Sequence, residues 1–170
     1  LDAQDDGNRF HGFDLRADGM VRRAMTTRPD LAELWIGPVP ALPEGKIVIV
    51  DYDAGWPALF EREAARIRGA LGPKALLVEH AGSTSVPGLA AKPRIDIILA
   101  VPDSSDEAAY VRELEAAGYR LVIREPDWFE HRVFQGPDTD VNLHTFTAGS
   151  PEIDKMLTFR DWLRSHDDDR

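Results

Sequence analysis

The chain has 170 residues, 43% of them apolar, which is enough for one domain with a substantial core. Thirty acidic and twenty basic residues give a formal net charge of −10, so the sequence argues against nucleic acid as the main partner but allows a small anionic ligand held by local groups. Because there is no cysteine, disulfides, zinc–thiolate sites and thiol nucleophiles are excluded.

No membrane segment is visible in the sequence. No apolar run approaches the roughly 18–20 residues that cross a bilayer, and the acidic start LDAQDDGNRF has none of the features of a signal peptide. Since disulfide-free acidic enzymes usually work in the cytoplasm, we expect a cytoplasmic protein with no membrane partner.

The first 45 residues differ in composition from the rest of the chain. They are rich in Asp, Arg, Pro and Gly and have no sustained hydrophobic period. We expect residues 1–45 to be a partly ordered N-terminal arm, in which 17–26 could form a short helix and 37–45 a proline-stiffened linker. Trp35 and Ile36 are the residues of this arm expected to dock on the main body.

Residues 46–170 form the main domain, in which strand-like and helix-like patterns alternate. The spacing of Ser104 and Glu107 predicts a capping box, and Ser150 is the predicted N-cap of the last helix. Helices are predicted over 56–72, 104–119 and 150–165, and strands over 46–53, 75–81, 94–101, 120–125, 130–136 and 140–147. This order predicts an α/β or α+β domain with a mixed β-sheet flanked by helices, the last two strands forming a hairpin. The oligomeric state stays open.

The segment GSTS, residues 82–85, directly follows a predicted strand and has the composition of a phosphate-binding turn. Gly82 lets the backbone turn tightly and approach a ligand closely. Ser83, Thr84 and Ser85 supply hydroxyl and N–H groups that suit phosphate oxygens. Glycine-serine turns after strands are common, so this segment needs support from other residues.

Asp96 stands inside the apolar strand predicted over 94–101. A carboxylate there must be paired, hydrogen-bonded or metal-bound, because a bare buried charge is costly. Lys92 and Arg94 are near enough in sequence to neutralise Asp96 or to hold phosphates. A structural ion pair and a ligand site therefore both remain open.

A second polar segment is REPDWFEHR, residues 124–132. Trp128 could stack on a base or ring, and Arg132 could hold a phosphate or a carboxylate. A loop and strand that are merely rich in charge are an equal alternative.

The segment EHAGSTSVPGLAAKPRIDI, residues 79–97, resembles the signature of the GrpB family, also called UPF0157. The resemblance covers about residues 47–166 and includes REPDWFEHR, NLHTF and SPEIDKMLTFRDWLR further along the chain. Members of that family continue with another helical segment, so we expect the C-terminal part of the domain to be truncated here. The family is similar to nucleotidyltransferases of the polymerase-β type, which implies a mixed sheet flanked by helices and a Gly-Ser turn over nucleotide phosphates.

That resemblance also implies a catalytic set. In active nucleotidyltransferases of this type, three carboxylates on two strands hold two magnesium ions, which serve the acceptor hydroxyl and the departing pyrophosphate. Gly82 and Ser83 match the turn and Asp96 matches one acid, so Ser83 and Asp96 are the implied catalytic residues. Ile98 stands where a second acid would share the strand face, which is a departure from the pattern.

The incomplete acid set leaves room for a single metal. Asp96 with His144, and with His80 or Glu79, is the ligand set that the residues offer for one Mg²⁺ or Mn²⁺. The alternative for His80 and His144 is a pair of hydrogen-bonded histidines that line a polar cleft.

Three functions stay open at this point. The chain could transfer a nucleotidyl group from a nucleoside triphosphate to a small acceptor with Mg²⁺ or Mn²⁺. It could be a catalytically degenerate module that binds a nucleotide or another anionic metabolite through residues 82–85, Lys92, Arg94 and Arg132. It could also be a purely structural or interaction domain, to which no residue pattern specifically points.

Overall fold

The computed structural model describes residues 31–37 and 48–169. The helix predicted over 17–26 and most of the linker predicted over 37–45 lie outside the described residues.

Five strands form one mixed sheet within the described residues. In chain order they are β1 (Leu77–Ala81), β2 (Ile95–Val101), β3 (Arg120–Glu125), β4 (His131–Gln135) and β5 (Val141–Thr147). Their order across the sheet is β1-β2-β5-β4-β3, with β2 and β5 parallel and the other neighbours antiparallel. The predicted mixed sheet and the β4–β5 hairpin are thereby confirmed.

The structure describes four α-helices. They are α1 (Leu31–Leu34), α2 (Trp56–Leu71), α3 (Val111–Ala116) and α4 (Pro151–Ser165). The larger core lies between one face and helices α2 and α3, and the smaller core lies under α4. Within residues 31–37 and 48–169, none of these helices has the length and apolar character needed to cross a bilayer.

Strand β2 is central and is buried on both faces, as its apolar sequence predicts. Because side chains alternate along a strand, Ile95, Ile97 and Leu99 enter the larger core, whereas Ile98 and Ala100 pack in the smaller one. Asp96 shares the second face with Ile98 and Ala100 and is the polar exception there.

The arm docks on the edge of the sheet at β3. Trp35 forms an antiparallel bridge with Ile123, and Ile36 donates its N–H to the carbonyl oxygen of Val122 over 2.9 Å. The expected docking of these two residues is confirmed.

Two predicted elements are wrong in extent. Of the strand predicted over 46–53, the described part forms a single bridge between Val50 and Ala91. The helix predicted over 104–119 shrinks to α3 and one 3₁₀ turn that begins at Glu107.

The capping box predicted at Ser104 does not form. The Ser104 hydroxyl lies 2.9 Å from Oγ1 of Thr147, and the Glu107 carboxylate accepts hydrogen bonds from Arg124 and Arg132. These charge-assisted bonds to neighbouring strands outweigh a local cap. Ser150 does precede α4, but its hydroxyl is buried and has no hydrogen-bond partner among the described residues.

Candidate functional site

The polar part of the α4 face of the sheet is the candidate site. The smaller core joins α4 to Ile98, Ala100 and Phe146, so the helix covers only part of this face. Strand register adds a diagonal line of polar side chains on the same face, one from each of four strands. They are Asp96 on β2, His144 on β5, His131 on β4 and Glu125 on β3.

The GSTS turn begins where β1 ends. Gly82 has a φ of 65°, a left-handed conformation that favours glycine, and residues 83–85 form one 3₁₀ turn. Thr84 donates its hydroxyl to the carbonyl oxygen of Arg94 over 3.0 Å, and Ser85 donates its own to the carbonyl oxygen of Gly82 over 2.5 Å. The Ser83 residue is exposed, so the hydroxyl that faces solvent in this turn is that of Ser83.

Asp96 lies directly against this turn. A Cβ atom at Gly82 would overlap Oδ2 of Asp96 and come within 3.0 Å of its Cγ. The register pairs Asp96 with Ala81, the residue before the glycine, which explains the close approach. The turn and the acid are therefore one site rather than two neighbouring features.

The other oxygen of Asp96 faces strand β5. Asn142 donates its amide N–H to Oδ1 of Asp96 over 3.1 Å, and Nε2 of His144 lies 3.7 Å from the same oxygen. The longer distance is outside hydrogen-bond range, so a gap separates the carboxylate from the imidazole.

A hydrogen-bonded chain runs from His144 to the far edge of the sheet. Nδ1 of His144 lies 3.0 Å from Nε2 of His131, and Nδ1 of His131 lies 2.6 Å from Oε2 of Glu125. The two imidazole rings are nearly parallel, with centroids 5.2 Å apart and planes inclined by 9°. His131 also stacks on Phe146, with centroids 4.6 Å apart.

Burial sets the charge states in this chain. Burial, with smaller contributions from the neighbouring His144 and Arg132, lowers the pKa of His131 to about 3. Burial also raises the pKa of the Glu125 carboxyl, against a smaller opposing effect of His144. His131 is therefore neutral at pH 7, with one ring nitrogen donating and the other accepting.

An aromatic loop borders the line of polar residues. Trp128 is 40% exposed and meets His131 edge to face, with ring centroids 5.0 Å apart. The next two residues, Phe129 and Glu130, both have positive φ values, of 53° and 51°. Non-glycine residues rarely take this conformation, and such strain concentrates at functional sites.

Comparison with known proteins decides the family. The family model described as GrpB protein matches residues 46–170. The chain belongs to the GrpB family.

Relatives of the GrpB chain agree with this. It is 60% identical over 144 residues to a UPF0157 protein of Halalkalibacterium halodurans, a match that covers 85% of this chain and 73% of the relative. The crystal structure of GrpB from Enterococcus faecalis is similar, with a TM-score of 0.63 and 32% identity, over 70% of this chain and 73% of that one. A dephospho-CoA kinase of Mycolicibacterium paratuberculosis is 31% identical over 72% of this chain, which spans only 36% of that protein.

The GrpB fold brings together some of the residues that the sequence singled out. Gly82, Ser83 and Asp96 form one site, with His144 beside it. Thr84 and Ser85 belong to the same turn, but their hydroxyls already donate to the backbone carbonyl oxygens of Arg94 and Gly82.

Other predicted site residues lie elsewhere. His80 alternates to the opposite face of the sheet, where it stacks on Phe60 of α2 with centroids 4.9 Å apart, so it does not join Asp96. Arg132 is also directed away from this site, and its Nε donates to Glu107 over 2.6 Å. Arg94 pairs with Asp140 over 2.7 Å, and Lys92 is exposed.

Glu125 and His131 are the members of the site that the sequence left without a role. In the sequence they belong only to the charged segment 124–132, and no pattern within that segment indicates a contact with His144. Glu125 and His131 are direct partners across β3 and β4 and so lie on the same face of the sheet. Predicting this from sequence would have required the strand register.

The ligand atoms that the site offers limit which metal ion it could hold. Among the described residues, no group of three or more His, Cys, Asp or Glu side chains is arranged to bind a metal ion. Asp96 and His144 offer two ligand atoms 3.7 Å apart, which is wider than the roughly 3.0 Å between adjacent ligands of an octahedral ion bound at about 2.1 Å. Two protein ligands suit a divalent ion whose other positions are filled by water and by phosphates of a bound molecule.

Proposed function

We propose that this chain binds a nucleotide, or another phosphorylated metabolite, at the 82–85 turn with one divalent metal beside Asp96. The observation that carries this proposal is the contact between Gly82 and the Asp96 carboxylate. A turn that accepts phosphate oxygens directly beside an acid that accepts a cation is a combination suited to a metal–phosphate ligand. The metal would supply charge neutralisation for the phosphates.

Residues around the turn support the same function. Ser83 is exposed and its hydroxyl can donate to a phosphate oxygen. Lys92 is exposed, follows the turn by a few residues in sequence and carries a positive charge. Trp128 offers an aromatic surface on the same face of the sheet, which suits a base or another flat ring.

A second candidate is nucleotidyl transfer to a small acceptor with a single Mg²⁺ or Mn²⁺. Its support is the position of Asp96 beside an exposed serine at a Gly-Ser turn, as the resemblance to nucleotidyltransferases implies. Ile98 weighs against the two-metal form of this chemistry, because it is fully buried under α4. The binding function therefore stands first and the transfer function second.

The related dephospho-CoA kinase is a much longer protein, of which this chain spans 36%. No segment of this sequence resembles a kinase phosphate loop.

Thermal-shift titration with nucleoside triphosphates, with and without Mg²⁺ or Mn²⁺, tests the binding function. A ligand at about 100 times its dissociation constant stabilises the native state by about 2.7 kcal/mol. We expect a concentration-dependent rise in Tm that needs the metal and is lost in Asp96→Asn. Asp154→Asn, an exposed acid on α4, is the matched control and should behave as wild type. The absence of any shift at millimolar concentrations would contradict the proposal for nucleotides.

A transfer assay separates the second candidate from the first. Labelled triphosphate is incubated with mixed small acceptors and the metal, and pyrophosphate release is measured. Release that disappears in Asp96→Ala favours transfer, whereas binding without release favours the module.

A further inference from the structure

We propose that the turn formed by residues 128–131 is a preformed platform for a flat ring, and that Arg132 is the positioning residue that holds this turn. The ring is the base of a nucleotide whose phosphates bind at the 82–85 turn, so the inference rests on the proposed function. It adds a preference for ring-bearing over ring-free phosphates, and it gives a role to an arginine that is directed away from Asp96.

The 128–131 turn has a conformation that its residues do not favour. The N–H of His131 donates to the carbonyl oxygen of Trp128 over 3.1 Å, and the two residues between them have positive φ values of 53° and 51°. Positive φ at both central positions is typical of a type I′ turn, which prefers Asn-Gly there. The central residues here are Phe129 and Glu130, so contacts with the surrounding structure must maintain the turn.

Arg132 supplies contacts of this kind. Its Nη1 donates to the carbonyl oxygen of Glu130 over 2.8 Å and to that of His131 over 3.2 Å. Its Nε donates to the Glu107 carboxylate over 2.6 Å, and the residue is only 6% exposed. Because the donors of a guanidinium have a fixed geometry, the bond to Glu107 also fixes the donor that faces the turn.

Glu107 joins the two strands that meet at this turn. Arg124 on β3 donates to both of its carboxylate oxygens, over 2.7 and 2.6 Å, and Arg132 on β4 donates to one of them. The two arginines are direct partners across the strands, where like charges would repel each other without the carboxylate. Three charged side chains thus maintain one strained turn, which indicates that its shape matters beyond joining the strands.

The turn presents Trp128 on the face of the sheet that carries Asp96. The indole meets the rings of His131 and Phe146 edge to face, with centroids 5.0 and 6.0 Å away. Phe129 also meets it edge to face, at 5.6 Å. Within residues 31–37 and 48–169 no ring stacks in parallel on Trp128, which is 40% exposed. A flat ring can therefore take the stacked position that bases adopt on aromatic side chains.

The position of this platform suits a nucleotide rather than a free base. Two imidazole rings separate Trp128 from Asp96: Nε2 of His144 is 3.7 Å from Asp96 Oδ1, and the His144 and His131 centroids are 5.2 Å apart. A ribose with its phosphates extends over an interval of this kind. A nucleotide can thus contact the 82–85 turn and Trp128 together, whereas a ring-free phosphate contacts only the 82–85 turn.

The first experiment tests the positioning role of Arg132 without any ligand. Hydrogen exchange of the His131 amide reports opening of the bond that closes the turn. Arg132→Met removes the donors to the turn but leaves Glu107 paired with Arg124, and it should speed this exchange about tenfold or more. Adding Glu130→Gly, which accommodates the positive φ, should restore slow exchange. Unchanged exchange in Arg132→Met, or no recovery with glycine, overturns the role of Arg132.

The second experiment compares ATP with inorganic tripolyphosphate, each with Mg²⁺, by isothermal titration calorimetry. Trp128→Ala and Arg132→Met should each lose about fivefold or more in affinity for ATP, because stacking on the base is lost or misplaced. Their affinity for tripolyphosphate should not change, whereas a general loss of structure would weaken both ligands. Leu76→Ala, an exposed apolar residue beside β1 at the opposite edge of the sheet, is the control and should change neither affinity.

The outcomes separate this inference from the proposed function. Wild-type affinities that are equal for ATP and tripolyphosphate, and unchanged in Trp128→Ala, overturn the platform and leave the proposed phosphate site standing. Failure of the wild type to bind either ligand overturns the proposed function for nucleotides and the platform with it. A Trp128→Ala variant that binds ATP normally but no longer self-associates in sedimentation would assign the tryptophan to a protein interface and overturn the platform alone.

Discussion

At Gly82 the backbone turns through a positive φ, and the carboxylate of Asp96 fills the space that a side chain would need. Two separate constraints thus act on one residue. The conformation alone favours glycine, and the acid excludes even a methyl group. Gly72 meets only the first constraint, which makes the two effects separable.

Gly82→Ala should lower the free energy of unfolding more than Gly72→Ala does. Both residues have positive φ, but a Cβ at Gly72 would meet no atom within 4 Å, whereas one at Gly82 would overlap Asp96. The overlap should add about 1–3 kcal/mol, which urea denaturation measures.

A double-mutant cycle tests the cause of that difference. Part of the excess loss in Gly82→Ala should disappear in an Asp96→Ala background, because the overlapping carboxylate is gone. Equal losses at positions 82 and 72, or strictly additive effects in the cycle, would contradict the close contact.

His80 makes stability depend on pH. Burial, with smaller contributions from Arg164 and Arg160, lowers its pKa from 6.5 to about 4 in the folded state. The unfolded chain therefore binds more protons between these two values, so stability is fully present above about pH 6.5 and falls as the pH approaches 4.

The expected loss attributable to His80 is about 3 kcal/mol between pH 7 and pH 4. Urea denaturation at both values measures it. His80→Phe retains the stack on Phe60 but carries no titrating group, so its stability should fall less over the same interval. An identical pH dependence in wild type and variant would show that His80 is not held neutral by the fold.

At the scale of elements, helix α4 is tied to β1 and to the GSTS turn by two arginines. Arg160 donates to the Glu79 carboxylate and to the carbonyl oxygen of His80, each over 2.8 Å. Arg164 donates to the carbonyl oxygen of Ser85 over 2.9 Å. The helix therefore fastens the backbone on both sides of Gly82.

Arg160→Met should destabilise the fold by about 2 kcal/mol. The arginine is buried, and its loss leaves a buried carbonyl oxygen and Glu79 without a charged donor. Lys155→Met, on the same helix but with a side chain that is 73% exposed, should change stability by less than about 0.5 kcal/mol. Chemical denaturation of the two variants compares them directly, and similar values would argue against a fastening role for Arg160.

Local pattern predicted most elements, and its failures have a common cause. The runs that became β1 to β5 are apolar enough to identify from sequence, and α2 and α4 have helical spacing. The helix predicted over 104–119 was mostly wrong because Glu107 binds Arg124 and Arg132, which arrive from other strands. Contacts between residues so distant in sequence cannot be predicted from the residues around Glu107.

The candidate site likewise contains some contacts that could be predicted from sequence and others that could not. Gly82 and Asp96 are fourteen positions apart on either side of one connection, so their proximity could be predicted. His80 and Asp96 could not be assigned to opposite faces until the β1–β2 register was known. Glu125 and His131 reach His144 through the β3–β4 and β4–β5 pairings; the β4–β5 hairpin was predicted, but the registers that align these side chains were not.

On the scale of the whole molecule, the packing of α4 is incompatible with a second acid on β2, at the position where the nucleotidyltransferase pattern has one. Ile98 is fully buried in the smaller core, with Ile153 of α4 in the same cluster. A carboxylate at that position would be buried in an apolar cluster beneath the helix. The departure from the pattern at Ile98 is therefore part of how this helix packs.

Ile98→Asp should lower the free energy of unfolding by about 4 kcal/mol or more, because it buries an unpaired charge and removes apolar packing. Ile98→Val, which removes one methylene, should cost about 1 kcal/mol. Circular dichroism during urea unfolding measures both. A stable Ile98→Asp variant that gains metal affinity would show that the packing of α4 does not exclude an acid at this position.

The diagonal from Asp96 to Glu125 takes one residue from each of four strands. No hairpin or single crossover contains all four residues, so a partly folded chain holds only part of this line. Contacts so distant along the chain also form slowly. During refolding this line of residues should consequently assemble after the helical signal has recovered.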